Sequence, residues 1–135
     1  MGDLRLQALA NYCTFKDFNL VKRCLYMFAA VPREDGSLPA CVFEKPKLSA
    51  ASDYIVDYDA LFGPTVYDYA VASGDTETAI ELWPTVLKSM NMALAHLTDI
   101  HSGSALMRMI RGEVLMGIAT ITVTAMRGAA HRATC

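Results

Sequence analysis

The stretch Asp3–Phe15, which reads DLRLQALANYCTF, is the first helix that the sequence predicts. Leu6, Leu9 and Cys13 recur at helical spacing, so the pattern predicts a helix that buries this stripe. Asp3 stands where the helix begins, and a carboxylate there can accept hydrogen bonds from the free N–H groups of the first turn. Asp3 is therefore either an N-cap or a carboxylate at the mouth of a ligand site, and the local pattern alone favours the N-cap.

Length and composition indicate one globular domain. The chain has 135 residues, of which 53% are hydrophobic, and its net charge is −2. A chain of this size can bury a core, and it has no basic field to hold nucleic acid. It starts without a signal-peptide pattern, and its longest uncharged apolar run, Val114–Met126, has 13 residues, too few to span a bilayer. We therefore expect a cytoplasmic protein without nucleic-acid or membrane partners.

The cysteines and histidines show no metal-ligand spacing. No C-x-x-C pair or paired-histidine motif occurs, so we expect free thiols in a reducing compartment, with no metal and no cofactor. The residues concerned are Cys13, Cys24, Cys41 and Cys135, together with His96, His101 and His131.

Three more helices are predicted after the first, and no strand is expected before residue 100. The second helix is Leu20–Ala30, and the third opens near Asp57, its expected N-cap. Gly63-Pro64 predicts either a kink in the third helix or a second helix start at Pro64. After a C-cap at Gly74, the fourth helix is Thr76–Leu97, so the four helices form two αα-hairpins.

The larger apolar side chains suggest which faces of these helices are buried. The predicted stripes are Leu20, Cys24, Met27 and Phe28 in the second helix, and Ile80, Trp83, Leu87, Met90, Ala93 (or Leu94) and Leu97 in the fourth.

A long connection, Pro32–Ser52, separates the two hairpins. It contains a turn signal at Glu34–Ser37, and Pro39 and Pro46 exclude a continuous helix. A loop of this length is either a functional lid or a surface crossover.

Two segments resemble bacterial α-L-rhamnosidases, which are inverting glycosidases with an (α/α)6 barrel. Gly2–Leu9 resembles the segment after their catalytic acid, and Asp35–Ala40 resembles a loop at the open end of the barrel. The resemblance covers roughly residues 2–99. It implies an all-α fold in which αα-hairpins form part of a six-hairpin glycosidase barrel, and a fragment of an enzyme that hydrolyses terminal α-L-rhamnosyl bonds.

The resemblance also implies where the chemistry lies. The general acid of the family falls before residue 1 and the general base beyond residue 135, so no catalytic residue is named here and the chain alone is expected to be inactive. Asp3 corresponds to the sugar-contacting aspartate of a Trp-x-Gly-Asp element. Asp57 matches an acidic position at the opening of a later barrel helix, although simple capping is favoured for it. The candidate substrate-binding residues are Asp3, Asp57 and Tyr58, for a rhamnose-containing glycoside.

Besides Tyr58, three other aromatic side chains are candidates for a ring that stacks on the sugar. Tyr54 also lies near a helix start, whereas Trp83 falls within an apolar stripe and favours a core position. Phe62 is the remaining candidate.

An alternative function is a non-enzymatic, tetratricopeptide-like interaction module. Asp68–Ala79 has the composition of such a helical turn, but the long loop interrupts a regular repeat. With only two hairpins, open apolar faces predict self-association. Residues 100–135 carry four arginines and a single acidic residue, Glu113, and are predicted to form a tail outside the 1–99 domain, either divergent or non-native in sequence. Within the tail, a weak helix at 106–115 and a short strand at 118–123 are expected.

Overall fold

The computed structural model of the chain describes the backbone of residues 1–99 and the side chains of residues 1–96. This part is mostly helical, as expected. The elements are α1 (Gly2–Cys13), α2 (Phe18–Ala29), β1 (Val42–Phe43), β2 (Ser49–Ala50), α3 (Val56–Ala60), α4 (Phe62–Ser73) and α5 (Thr76–Asp99). The predicted tail, with its helix and strand, lies outside the described residues.

The long connection contains a small β-hairpin. β1 pairs antiparallel with β2, with Val42 opposite Ala50, and the Ala51 N–H donates to the Cys41 carbonyl at 2.9 Å. The expectation of no strand before residue 100 is therefore wrong. Strands of two residues are too short to show the alternation by which a strand is recognised in a sequence.

Helix α1 buries a different side from the one predicted. Ala8 is buried, and Leu4 and Tyr12 pack against the core. In contrast, Leu6 is 70% exposed and Leu9 is also exposed. Both sides of α1 carry apolar side chains, so their spacing predicted the helix but could not show which side is buried.

An ion pair joins the buried side of α1 to α4. Arg5 Nε donates to Asp68 Oδ2 at 2.9 Å, and both side chains are largely buried. This contact spans a long stretch of chain, so it fixes α1 against an element that follows much later.

The predicted stripes of α2 and α5 are also partly wrong. Leu20, Ile80 and Leu87 are exposed, whereas Phe28, Met90 and Ala93 are buried as predicted. The buried residues are Val21, Leu25 and Phe28 in α2 and Ala79, Leu82, Val86, Met90 and Ala93 in α5.

Close packing of α4 against α5 explains why small residues face the core. A Cβ added at Gly63 would lie 3.2 Å from Val86 Cγ1 and 3.4 Å from Met90 Sδ. The helix backbones approach closely there, and side-chain size is therefore a poor guide to the buried face.

The helix is interrupted between α3 and α4. Of the two alternatives predicted at Gly63-Pro64, a kink or a second helix start, the structure therefore has the second helix start. α3 ends at Ala60 and α4 begins at Phe62. Pro64 falls in the first turn of α4, where a helix does not need its N–H group. Phe62, at the start of α4, is completely buried.

Asp75 caps α5 and joins it to two other helices. Its carboxylate accepts hydrogen bonds from Thr78 N at 3.1 Å and Thr78 Oγ1 at 2.7 Å. It also accepts from Tyr69 Oη at 2.9 Å in α4 and from Lys22 Nζ at 2.8 Å in α2. The Lys22 and Thr78 side chains hold the pKa of Asp75 well below its usual range. Gly74, at φ +75°, is the predicted C-cap of α4.

We expect Asp75→Ala to lower the free energy of unfolding by about 1–2 kcal/mol at neutral pH, because it removes an N-cap and leaves Lys22 unpaired. Asp75→Asn should lose less, since asparagine caps nearly as well. The lowered pKa means that the ionised carboxylate stabilises the fold above its ordinary pKa of 3.8 and that this contribution is lost as the pH falls below it. Thermal melts of both variants at about pH 7 and about pH 3 measure these effects.

Thr76→Ala, at an exposed position beside the cap, is the control and should melt like the parent. A difference between parent and Asp75→Ala that stays constant with pH would contradict the role of the charge.

Candidate functional site

The start of α1, the end of the 33–41 segment and the approach to α3 meet at one place. The Met1 backbone nitrogen donates to the Ala40 carbonyl at 2.8 Å. The Ala40 N–H in turn donates to the Asp53 carbonyl at 3.1 Å. We call the place where α1 and α3 begin, with Gly2, Asp3, Ala40, Asp57 and Tyr58, the α1–α3 end.

Gly2 lies directly on the ring of Tyr58. A Cβ at Gly2 would lie 2.6 Å from Tyr58 Cε1 and 2.9 Å from Cζ, closer than atoms in contact can approach. Only glycine permits this approach of the helix backbone to the ring. The structure therefore brings the segment that contains Asp3 to the segment that contains Asp57 and Tyr58.

Neither Asp3 nor Asp57 caps its helix, so the capping interpretation of both is wrong. The N-cap of α1 is Met1, and that of α3 is Ile55. Each helix begins before its aspartate, which therefore lies within the first turn rather than at the cap position. Asp3 is exposed and Asp57 is half-buried, and neither carboxylate accepts a hydrogen bond from any residue that the structure describes. Among the described residues no hydrogen bond therefore occupies either carboxylate, and the dipole of α1 favours negative charge at Asp3.

Of the aromatic side chains considered as sugar platforms, only Tyr58 remains at this end. Phe62 is buried, and Tyr58 and Trp83 both pack against the core with part of the side chain exposed, but Tyr58 is the one in contact with Gly2. Tyr54 is already engaged: the Arg33 guanidinium lies 5.4 Å from its ring centroid, and the His96 ring lies 5.2 Å away. Burial and the neighbouring Asp59 carboxylate raise the pKa of Tyr54 well above its usual value.

Asp59 is a polar centre that the sequence interpretation missed. It is 1% exposed, and its Oδ1 accepts from Leu38 N at 3.0 Å and from Ser89 Oγ at 2.6 Å. Its Oδ2 accepts from Tyr54 Oη at 3.1 Å. The available signal was its position, because Asp59 directly precedes the apolar run Ala60–Phe62. Burial raises the pKa of Asp59, although its hydrogen bonds oppose this effect.

The predicted turn before this centre is confirmed. Asp35 accepts from Ser37 N at 2.9 Å and Ser37 Oγ at 2.6 Å, and Gly36 has φ +90°. The Ser37 hydrogen bonds lower the pKa of Asp35. Arg33 closes the turn by accepting from Gly36 N and extends to the Ser52 carbonyl, which its guanidinium contacts at 2.7 Å. The turn therefore places the Leu38 N–H group where it can donate to the Asp59 carboxylate.

The described residues contain no group of three histidine, cysteine, aspartate or glutamate side chains placed to hold a metal ion. Cys13, Cys24 and Cys41 are free thiols. None of the helices in this part of the chain is long and apolar enough to cross a bilayer.

Comparison with known proteins links the chain to rhamnosidases. Neither a protein-family model nor a curated protein matches it. A solved structure, a rhamnosidase from Klebsiella oxytoca with rhamnose bound, is 45% identical and superposes with a TM-score of 0.68. The match covers 70% of this chain and 18% of the rhamnosidase. The resemblance to a rhamnosidase fragment is thus confirmed, and the chain spans less than a fifth of the length of the protein that it matches.

A double-mutant cycle tests the contact between Gly2 and Tyr58. We expect Gly2→Ala to lower the free energy of unfolding by about 1–3 kcal/mol, because the new methyl group overlaps the ring. In the Tyr58→Ala background the same change should cost little, since the obstacle is gone. Chemical denaturation of the four proteins measures the coupling, and Gln7→Ala on the exposed side of α1 is the control. An equal cost in both backgrounds would show that the two residues do not touch.

The raised pKa of Asp59 predicts a pH-dependent difference between the parent and Asp59→Asn. A raised folded-state pKa means that the protonated form is favoured in the fold, so the parent loses stability as the pH rises from the ordinary value of 3.8 through the folded pKa. Asparagine has no such titration. The stability of Asp59→Asn relative to the parent should therefore increase between about pH 3 and about pH 7. Thermal melts across this range measure it, and a constant difference would contradict the burial of an ionised Asp59.

Proposed function

We propose that this chain forms part of the catalytic domain of an α-L-rhamnosidase, an enzyme that hydrolyses terminal α-L-rhamnosyl bonds with inversion. The observation that carries this proposal is the 45% identity to a rhamnosidase solved with rhamnose bound. Identity at this level over 70% of the chain, with similar backbone geometry, supports a shared role for the matched segment. The site supports the same class of ligand, because it combines open carboxylates with an aromatic ring.

The proposed architecture is a set of αα-hairpins within an (α/α)6 barrel, formed by residues 1–99, with residues 100–135 as a separate tail. Exposed apolar side chains support it. Leu6 and Leu9 lie on the outer side of α1, and Ile80 and Leu87 lie on α5. In a barrel such faces contact neighbouring hairpins. In the isolated chain they favour self-association, because exposed apolar area is removed from water when two copies meet.

Asp3, Asp57 and Tyr58 are the residues that we assign to the rhamnosyl group. A carboxylate accepts hydrogen bonds from sugar hydroxyls, and these charge-assisted bonds are stronger than neutral ones. The ring of Tyr58 supplies an apolar surface for the carbon side of a sugar. Because Gly2 rests on that ring, the helix that carries Asp3 is held close to it.

These residues bind and orient the sugar rather than transfer protons. Inversion requires a carboxylic acid that protonates the leaving oxygen and a carboxylate that activates water, about 6.5–9.5 Å apart. We place both groups in the parts of the longer enzyme that this chain does not cover. Asp3 then holds sugar hydroxyls in the geometry that those groups need, which lowers the entropic part of the barrier.

A chimeric enzyme tests the proposal. The matching segment of the Klebsiella oxytoca rhamnosidase is replaced by the corresponding segment of this chain, and hydrolysis of an aryl α-L-rhamnoside is measured. We expect activity in the chimera and at least a tenfold lower kcat/KM in its Asp3→Asn variant, since tenfold corresponds to about 1.4 kcal/mol and one charged contact is lost. The melting temperature should change little, because Asp3 makes no capping hydrogen bond and the variant loses only its charge in the first turn of α1.

Asp17→Asn is the matched control. Asp17 caps α2, and asparagine caps nearly as well, so neither activity nor stability should change. The 135-residue chain alone should release no product, because both proton-transferring groups lie elsewhere. An unchanged kcat/KM in Asp3→Asn would remove Asp3 from the site, and an inactive but folded chimera would contradict the proposed function.

A further inference from the structure

Three parts of the chain converge on the buried carboxylate of Asp59. Leu38 N–H comes from the 33–41 segment, Tyr54 Oη from the approach to α3, and Ser89 Oγ from the middle of α5. Ser89 is completely buried, and its hydroxyl also lies 2.8 Å from the Asp59 carbonyl oxygen.

The chemistry of the three partners explains why a carboxylate occupies this position. All three partners are hydrogen-bond donors that point at one position. An ionised carboxylate suits them because it has two acceptor oxygens and no donor. Burying a charge is costly, and a well-packed apolar residue often stabilises a core as well or better. The carboxylate therefore contributes what an apolar side chain cannot, namely fixed directions for three separate segments.

A short path leads from Asp59 to the α1–α3 end. The Asp59 carboxylate accepts a hydrogen bond from Leu38 N–H. Two residues later, the Ala40 carbonyl accepts a hydrogen bond from the Met1 nitrogen. The Met1 carbonyl in turn accepts the first hydrogen bonds of α1, from Leu4 N at 3.0 Å. On its other side Asp59 directly follows Tyr58, whose ring contacts Gly2. Both halves of the α1–α3 end are thus attached to one carboxylate.

We propose that Asp59 is a positioning residue for the α1–α3 end: by holding Leu38, Tyr54 and Ser89 together, it sets the start of α1, and with it Asp3, against the ring of Tyr58. Asp59 acts through these groups and does not touch the sugar. The geometric part of this inference is independent of substrate, whereas its consequence for sugar binding rests on the proposed function.

Two substitutions at Asp59 separate geometry from charge. In Asp59→Asn the amide oxygen still accepts from Leu38 N and Ser89 Oγ, and the NH2 group donates to the Tyr54 oxygen, so all three contacts are kept without the charge. In Asp59→Ala all three partners lose their acceptor. Ser89→Ala is a milder variant that removes one donor and keeps Leu38 bound.

Nuclear magnetic resonance of the full 135-residue chain provides the measurement. The Gly2 α-protons lie on the Tyr58 ring, so ring currents shift their resonances, and amide exchange at Leu38 reports its hydrogen bond to Asp59. We expect Asp59→Ala to speed Leu38 exchange at least tenfold and to move the Gly2 resonances towards unshifted values. Asp59→Asn should retain both signatures, and Ser89→Ala should move the Gly2 resonances in the same direction by a smaller amount.

Asp75→Ala is the matched control, because it removes another carboxylate that joins three helices but lies outside this path. It should lower stability and leave the Gly2 resonances unchanged. A folded Asp59→Ala with parental Gly2 resonances would overturn the proposal. Should Asp59→Ala not fold, Ser89→Ala decides it, and parental Gly2 resonances in that variant would overturn it too.

The chimeric enzyme adds a readout that distinguishes this inference from the proposed function. If Asp59 positions the sugar-binding groups, Asp59→Asn retains kcat/KM within about threefold while Asp59→Ala lowers it at least tenfold, mainly through KM. Equal losses in the two variants would show that the charge itself acts and would overturn the positioning role. An inactive chimera would contradict the proposed function alone, because the resonance measurements still decide the geometry.

Discussion

The arrangement of the described residues depends on the hydrogen bonds of one buried carboxylate, that of Asp59. Asp59 is almost fully removed from water, so it must find hydrogen-bond donors inside the protein, and it finds them in three segments that are far apart in the chain. The irregular 33–41 segment is held both by this hydrogen bond at Leu38 and by the burial of Leu38 and Ala40 in the core. A helical protein in this way gains a rigid loop next to the place where two helices begin.

Elements with a strong local signal were predictable from the sequence, whereas their orientation was not. Helix α5 and its boundary at Gly74-Asp75 follow from periodicity and capping, which act over a few residues. The buried face of α1 could not be assigned, because Leu4 and Ala8 on one side and Leu6 and Leu9 on the other are equally apolar. Only the tertiary neighbours decide which face is covered.

The candidate site shows the same division between local and distant causes. The resemblance of short motifs led to Asp3, Asp57 and Tyr58, and the structure places their segments side by side through Gly2, a contact that no spacing predicts. Asp59 was overlooked although only one residue separates it from Asp57. A carboxylate directly before the apolar run Ala60–Phe62 is a recognisable anomaly, but its partners become evident only once the chain is folded.

The contacts of α1 have a consequence for the order of folding. The helix start bonds to the Ala40 carbonyl, and Arg5 of the helix pairs with Asp68. Both partners lie far along the chain, as does the Tyr58 ring that Gly2 contacts. Such long-range contacts close large loops and form slowly. During synthesis α1 therefore emerges before these partners, and its early contact is the stacking of Tyr12 on Phe18 at the start of α2. Until the later residues are made, part of the apolar surface of α1 stays exposed to water, and such exposed surface makes a nascent chain prone to aggregate.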